Sequence, residues 1–212
     1  MGLLELPQGL FPILDETHTN GLSTFEIIEA FVDAEVDPFI VFCHSLSPTE
    51  YADYIQAISL LKYEMDFDYL LHHHLDRMPV SGAAGIHLTY KSVSIKQARR
   101  DLGPEALVGY SARSCDEALK AQDEGADYIL LGSIFQSNHF HQDYPVIGLE
   151  ELNKTCRRLT VPVYASGGIQ PSNLIMVKDS GAAGFTALDA VYIDGEIDHN
   201  ISLLNILWEE MD

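Results

Sequence analysis

The sequence predicts an α/β fold, a single (β/α)8 TIM barrel over residues 1–212, and three observations carry that expectation. Short apolar runs rich in β-branched residues recur eight times, each followed by a polar-patterned stretch long enough for a helix. That alternation is the rhythm of a parallel sheet, in which each return to the same end requires a crossover. Apolar residues make up 47% of the 212, which fills a barrel interior and excludes a disordered chain. No solenoid-period repeat, low-complexity tract or Pro/Gly-rich linker marks a second domain.

Strands are expected near Leu10–Leu14, Pro38–Cys43, Tyr69–His72 and Gly85–Leu88, then near Ala106–Ser111, Asp127–Gly132, Val161–Ala165 and Gly184–Leu188. Between them, Ser23 precedes TFEIIEAFVDA with Glu26 three residues on, the spacing at which serine and glutamate satisfy free amides at a helix start. Ser47 does the same before PTEYADYIQAISLL. Ser114 opens a stretch that reads as cap, amphipathic helix, terminating Gly125 and continuous apolar strand. The longest expected loop, QSNHFHQDYPVIG, follows the sixth strand, and long loops in compact domains tend to be lids or binding segments. Trp208, in the last helix, is expected to pack on the barrel.

Twelve Lys and Arg against 32 Asp and Glu leave a net charge of −20, a field that repels polyanions and anionic membranes. Nucleic-acid and membrane partners are therefore not expected. The amino terminus shows no basic start followed by a long apolar run, so no secretory signal is read and a cytoplasmic location is the expectation. Cys43, Cys115 and Cys156 are far apart and odd in number, which fits reduced, buried thiols.

Strand ends converge at one face of a barrel, so chemistry is sought there. Ser166, Gly167 and Gly168 follow the seventh strand, and glycine lets backbone amides approach a phosphate; a tight turn without a ligand explains the same residues. Histidine accumulates at the strand ends: His18, His44, the run His72–His73–His74, and His139 with His141 in the long loop. Imidazoles so gathered serve as acids and bases near neutral pH or as nitrogen ligands. Against this, alternate side chains of a strand point to opposite sides, so at most two of the three consecutive histidines share a face. His87 reads as a packed residue, and Asp76 and Arg77 either orient imidazoles or cap the next helix.

From Gly82 onward the order AAGIHL, KQARRDLGPEALVGYSARSCDEALKAQDEGADYILLGSIF, IGLEEL, VPVYASGGIQPSNL and SGAAGFTALDAV resembles the thiamine phosphate synthase and thiazole tautomerase family. The likeness is clear over the last two-thirds of the chain and extends more weakly through GLFPILDE and DPFIVFCHSLSPTEY. The resemblance implies a homodimeric barrel that binds a phosphorylated thiazole and sometimes a pyrimidine diphosphate. Synthases join the two with magnesium by displacing diphosphate; tautomerases aromatise a thiazole carboxylate by proton transfer.

Position by position, the family's diphosphate-gripping Gln, Arg and Lys fall on Ile40, Phe42 and His44, and its Asn-Asp pair on His72 and His73. Its second acidic magnesium ligand falls on Ser92. Magnesium requires hard oxygen ligands, so a magnesium site is not expected here; no metal ligand and no other cofactor is assigned. Ser111 matches a family hydroxyl, Ser133 stands where tautomerases can carry a catalytic histidine, and Ser137 and His139 occupy the phosphate-contacting loop. Asp189 replaces a small hydroxyl residue; two unit charges about 4 Å apart repel by roughly 4 kcal/mol at an effective dielectric near 20, so it must turn away, be neutralised or signal another ligand.

The expected catalytic residues are thus His44, His72, His73 and His139, and the expected ligand-binding residues Ser111, Ser133, Ser137, Ser166, Gly167, Gly168 and Asp189. The leading reading is an enzyme of thiazole metabolism using histidine proton transfer on a small phosphorylated heterocycle. A non-catalytic ligand-binding barrel, a histidine-ligated metalloenzyme and a genuine thiamine phosphate synthase remain the alternatives.

Overall fold

A computed structural model describes residues 5–137 and 145–210. Its strands are β1 (Gly9–Leu10), β2 (Ile13–Asp15), β3 (Phe39–Phe42), β4 (Tyr69–His72) and β5 (Gly85–Leu88), followed by β6 (Leu107–Ala112), β7 (Tyr128–Gly132), β8 (Val163–Ser166) and β9 (Gly184–Phe185). All neighbouring pairs are parallel, in the order β1-β9-β8-β7-β6-β5-β4-β3-β2. The two ends of that order are successive pieces of chain, so the sheet closes on itself and the expected barrel is present.

The first expected strand, Leu10–Leu14, is broken in two. Pro12 has no amide hydrogen to give to a ladder. Before it, the Phe11 amide donates to the Phe185 carbonyl at 2.8 Å; after it, the Ile40 amide donates to the Pro12 carbonyl at 3.0 Å. The chain thus passes from the last strand to the second at the proline. The last expected strand, Gly184–Leu188, ends early at Phe185, because Leu188 begins a short helix.

The helices are α1 (Thr24–Asp33), α2 (Pro48–Glu64), α3 (Met78–Ser81), α4 (Ile95–Leu102) and α5 (Cys115–Asp123), then α6 (Gly148–Arg158), α7 (Leu174–Asp179), α8 (Leu188–Tyr192) and α9 (Ile197–Glu209). Both expected capping boxes form, Ser23 with Glu26 and Ser47 with Glu50. Trp208 packs on the barrel, its ring 5.2 Å from that of Phe185. The three cysteines are free thiols.

Aromatic rings fill the barrel below its carboxyl mouth. Phe11 contacts Tyr128 at 5.0 Å and Tyr164 at 5.1 Å between ring centres. Gly109 is required here, because a Cβ on it would collide with the Tyr128 ring. Above this layer the interior changes from phenol to imidazole: His87 lies over Tyr128, and His72 over His87. The floor of the mouth is therefore rigid and apolar, with polarity introduced ring by ring toward solvent.

Candidate functional site

The carboxyl ends of the strands surround a cavity of about 270 Å³. Of the residues expected there, His44, His72, His73, Ser111, Ser133, Ser166 and Gly167 line it. Ser137, Gly168 and Asp189 instead line, with Gly167, a separate crevice of about 10 Å³, which is the space of a single water. His139 and His141 lie outside the described residues.

His72 ends β4 pointing inward, and its ring stacks on Phe42 at 4.0 Å with 14° between the planes. His73 would leave an ideal strand on the opposite side, yet its φ of +71° turns the chain back and brings its ring 3.7 Å from that of His72. His74 is excluded from the cavity and packs on Tyr51. Two of the three consecutive histidines thus share a face, and they are neighbours because the strand ends between them.

Burial, with repulsion from the neighbouring histidines, holds the His72 imidazole well below its ordinary pKa. Burial pushes His73 down to about 4 and His87 to about 3, so these rings are neutral at pH 7. His87 lies behind the cavity wall, bonded through Nδ1 to the Tyr128 hydroxyl at 3.0 Å and through Nε2 to Ser111 Oγ at 2.7 Å. It is packed, as expected, and it fixes the hydroxyl that Ser111 presents to the cavity. His72 Nδ1 is buried without a hydrogen-bond partner among the described residues.

His44 differs from these rings, since its side chain is 44% exposed. Its Nε2 stands 3.6 Å from Oδ2 of Asp15, a carboxylate at the end of β2. The other oxygen of Asp15 accepts from the amide and hydroxyl of Thr17 at 2.9 and 2.7 Å, which fixes the carboxylate plane. Glu16 Oε1 accepts from the amides of His44 and Ser45 at 2.5 and 2.7 Å, anchoring the loop that carries the imidazole. Sequence reasoning missed Asp15 as a site residue; its place at a strand end was the available signal.

Where the resemblance places magnesium ligands, His73 Nδ1 and Ser92 Oγ are hydrogen-bonded to each other. An imidazole and a hydroxyl already engaged together do not fit a cation that selects hard anionic oxygens. Among the described residues, no group of three His, Cys, Asp or Glu side chains is placed to hold a metal ion.

The glycine turn is held by protein. A Cβ on Gly167 (φ +89°) would fall 2.8 Å from Ser133 Cα, and one on Gly168 (φ +66°) 2.8 Å from Phe135 Cβ. The amides of Ile134 and Phe135 donate to the carbonyls of Ser166 and Gly167 at 2.8 and 3.0 Å. Ser166 Oγ accepts from the Thr186 hydroxyl at 3.0 Å, and Ser133 Oγ donates to the Phe135 carbonyl at 2.6 Å. Asp189 faces His18, whose Nε2 lies 3.8 Å from Oδ1.

Lys91 and Arg113 also reach the cavity, and sequence reasoning passed over both. They follow the ends of β5 and β6, beside TYK and SAR, where the strand-end rule would have flagged them.

A closed parallel barrel with a cavity at the carboxyl ends of its strands, into which a few histidines, serines and cations converge, defines a small-molecule-binding TIM barrel, in which loop residues carry the chemistry. The particular family is the one the residue pattern resembles: the thiamine monophosphate synthase model matches residues 10–191, and the chain belongs to that family. A thiamine-phosphate synthase of Caldanaerobacter subterraneus subsp. tengcongensis is 29% identical over 192 residues, 90% of this chain and 89% of its own. That of Chlorobium phaeovibrioides is 35% identical over 136 residues, 64% of this chain and 65% of its own. The solved thiamine phosphate pyrophosphorylase of Pyrococcus furiosus superposes with a TM-score of 0.81 at 26% identity, covering 96% of both chains. No helix among the described residues is long and apolar enough to cross a membrane.

Proposed function

We propose that this chain acts in thiazole metabolism as a proton-transfer enzyme, isomerising a small phosphorylated thiazole-type heterocycle to its aromatic tautomer. The observation that carries this reading is His44 on the cavity lining with the buried carboxylate of Asp15 beside its Nε2. A carboxylate behind Nε2 favours the tautomer protonated there and leaves Nδ1 as the basic nitrogen. Such a base removes a proton from a ring carbon, and the imidazolium so formed, stabilised by Asp15, returns a proton at another ring position. The substrate is isomerised with no atom gained or lost. Contacts of 3.6 Å are long for a hydrogen bond, and catalytic pairs commonly tighten when substrate binds.

His72, neutral and stacked on Phe42, supports the reading as a flat uncharged wall for a heteroaromatic ring. With the thiazole carboxylate tautomer as substrate, H44A is expected to lower kcat on the order of 10²- to 10⁴-fold. D15N is expected to lower kcat at little cost in KM, because it disturbs the tautomer and not the binding surface. Unchanged turnover in H44A would overturn the proposal.

The synthase reaction itself is the second reading, favoured by the names of relatives that match along most of the chain. Supplying thiazole phosphate, pyrimidine diphosphate and magnesium tests it, and formation of thiamine phosphate at an enzymatic rate would displace the first reading.

A further inference from the structure

His72 is 4% exposed and lines the cavity, yet its Nδ1 is buried without a hydrogen-bond partner among the described residues. The two rings nearest it supply none. Phe42, stacked on it at 4.0 Å, has no polar side-chain atom. His73, 3.7 Å away between ring centres, is engaged with Ser92 through Nδ1 and with Thr89 through Nε2. A neutral imidazole carries a single proton, and a buried N–H left without an acceptor is disfavoured more than a bare ring nitrogen. Burial keeps His72 neutral, so its proton belongs on Nε2, the nitrogen left to the cavity.

A second chain of contacts has the same polarity. Tyr128 is fully buried, and its hydroxyl meets His87 Nδ1 at 3.0 Å and no other partner among the described residues. The phenolic proton has no other acceptor, so the hydroxyl donates to Nδ1. His87, neutral as well, then carries its own proton on Nε2 and donates to Ser111 Oγ at 2.7 Å. Having accepted there, the Ser111 hydroxyl turns its proton toward the cavity that it lines.

We infer that His72 is a specificity-determining residue, a fixed neutral donor whose Nε2–H holds a hydrogen-bond acceptor on the ligand's ring, with the Ser111 hydroxyl donating into the same cavity. The site takes a small heteroaromatic ring whose inner edge bears acceptors, a pyridine-type nitrogen or a carbonyl or carboxylate oxygen, and disfavours a ring that presents N–H there. A nitrogen that already points a proton at the substrate cannot remove another, so His72 binds and leaves proton removal to His44. The inference rests on the proposed function for the kind of ring bound. It is read by tautomer and by binding, so its failure and a failure of isomerisation are separate outcomes.

The test has two readings on the full chain. In protein labelled with nitrogen-15 histidine at pH 7, the imidazole signals absent from H72Q belong to His72, and their shifts should show the Nε2–H tautomer. The Nδ1–H tautomer or an imidazolium would overturn the inference. The second reading is calorimetric titration with thiazole phosphate, the carboxylated thiazole phosphate and thiophene phosphate, in which C–H replaces the ring nitrogen. The tighter of the two thiazoles should bind the wild type at least about fivefold better than the thiophene. H72F should abolish that preference while binding the thiophene within about threefold of the wild type, which shows the cavity intact. H72Q, whose amide N–H reaches the Nε2 position, should keep most of the preference, and H44A should keep it while losing turnover. A preference retained in H72F, or absent from the wild type, would overturn the inference.

Discussion

Single imidazoles in this barrel do different work because their surroundings differ. Burial keeps His87 at a pKa of about 3, against about 6.5 for an exposed imidazole. Between those values the unfolded chain binds a proton that the folded chain refuses, so stability is full above about pH 6.5 and falls as pH falls toward 3. His73, at about 4, and His72 add losses of the same sign. H87Q retains groups able to meet Tyr128 and Ser111 but removes one such proton. Urea midpoints at pH 7 and pH 4.5 should differ less in H87Q than in the wild type; an equal difference would assign the acid sensitivity elsewhere. The sequence told that histidines would gather at the strand ends. It did not tell which would face inward, because His73 enters the cavity through a left-handed turn that alternation cannot foresee. Nor did it pair His44 with Asp15, twenty-nine positions away, since that contact exists only after two strands lie side by side.

At the scale of elements, local chemistry was read correctly where it acts within one turn. The boxes Ser23–Glu26 and Ser47–Glu50 form because each serine is within reach of amides three residues on, a condition the sequence alone satisfies. The second box begins the helix that carries Tyr51 onto His74. S47A should cost about 1 kcal/mol and lower Tm by about 2–4 °C in a chain of this size, measured by thermal unfolding. A change within error would mean that Glu50 and solvent satisfy the helix start unaided. The broken first strand was legible in principle, since Pro12 interrupts GLFPIL, but its consequence depended on a partner strand some 170 residues away. At the glycine turn the sequence admitted both a ligand and a tight fold, with the ligand preferred, and the positions of Ser133 and Phe135 explain why both residues must lack a Cβ.

For the molecule as a whole, closure of the barrel and the composition of its surface were both open to sequence reasoning, while the contrast between outside and inside was not. A chain with a net charge of −20 surrounds a mouth whose described lining holds cations and no acids. Composition averages over that arrangement and hides it. The contrast has a kinetic consequence. An anion diffusing inward first crosses the repulsive field of the acidic surface and is attracted only over the last few ångströms, where the lining cations prevail. Salt at about 0.15 M shortens the reach of the outer field to about 8 Å, and buried or half-enclosed charges feel the added ions less. Stopped-flow association of thiazole phosphate should therefore quicken between low salt and about 0.15 M, the reverse of ordinary steering between opposite charges. A rate that only declines would mean that the mouth already projects its own attraction past the shell.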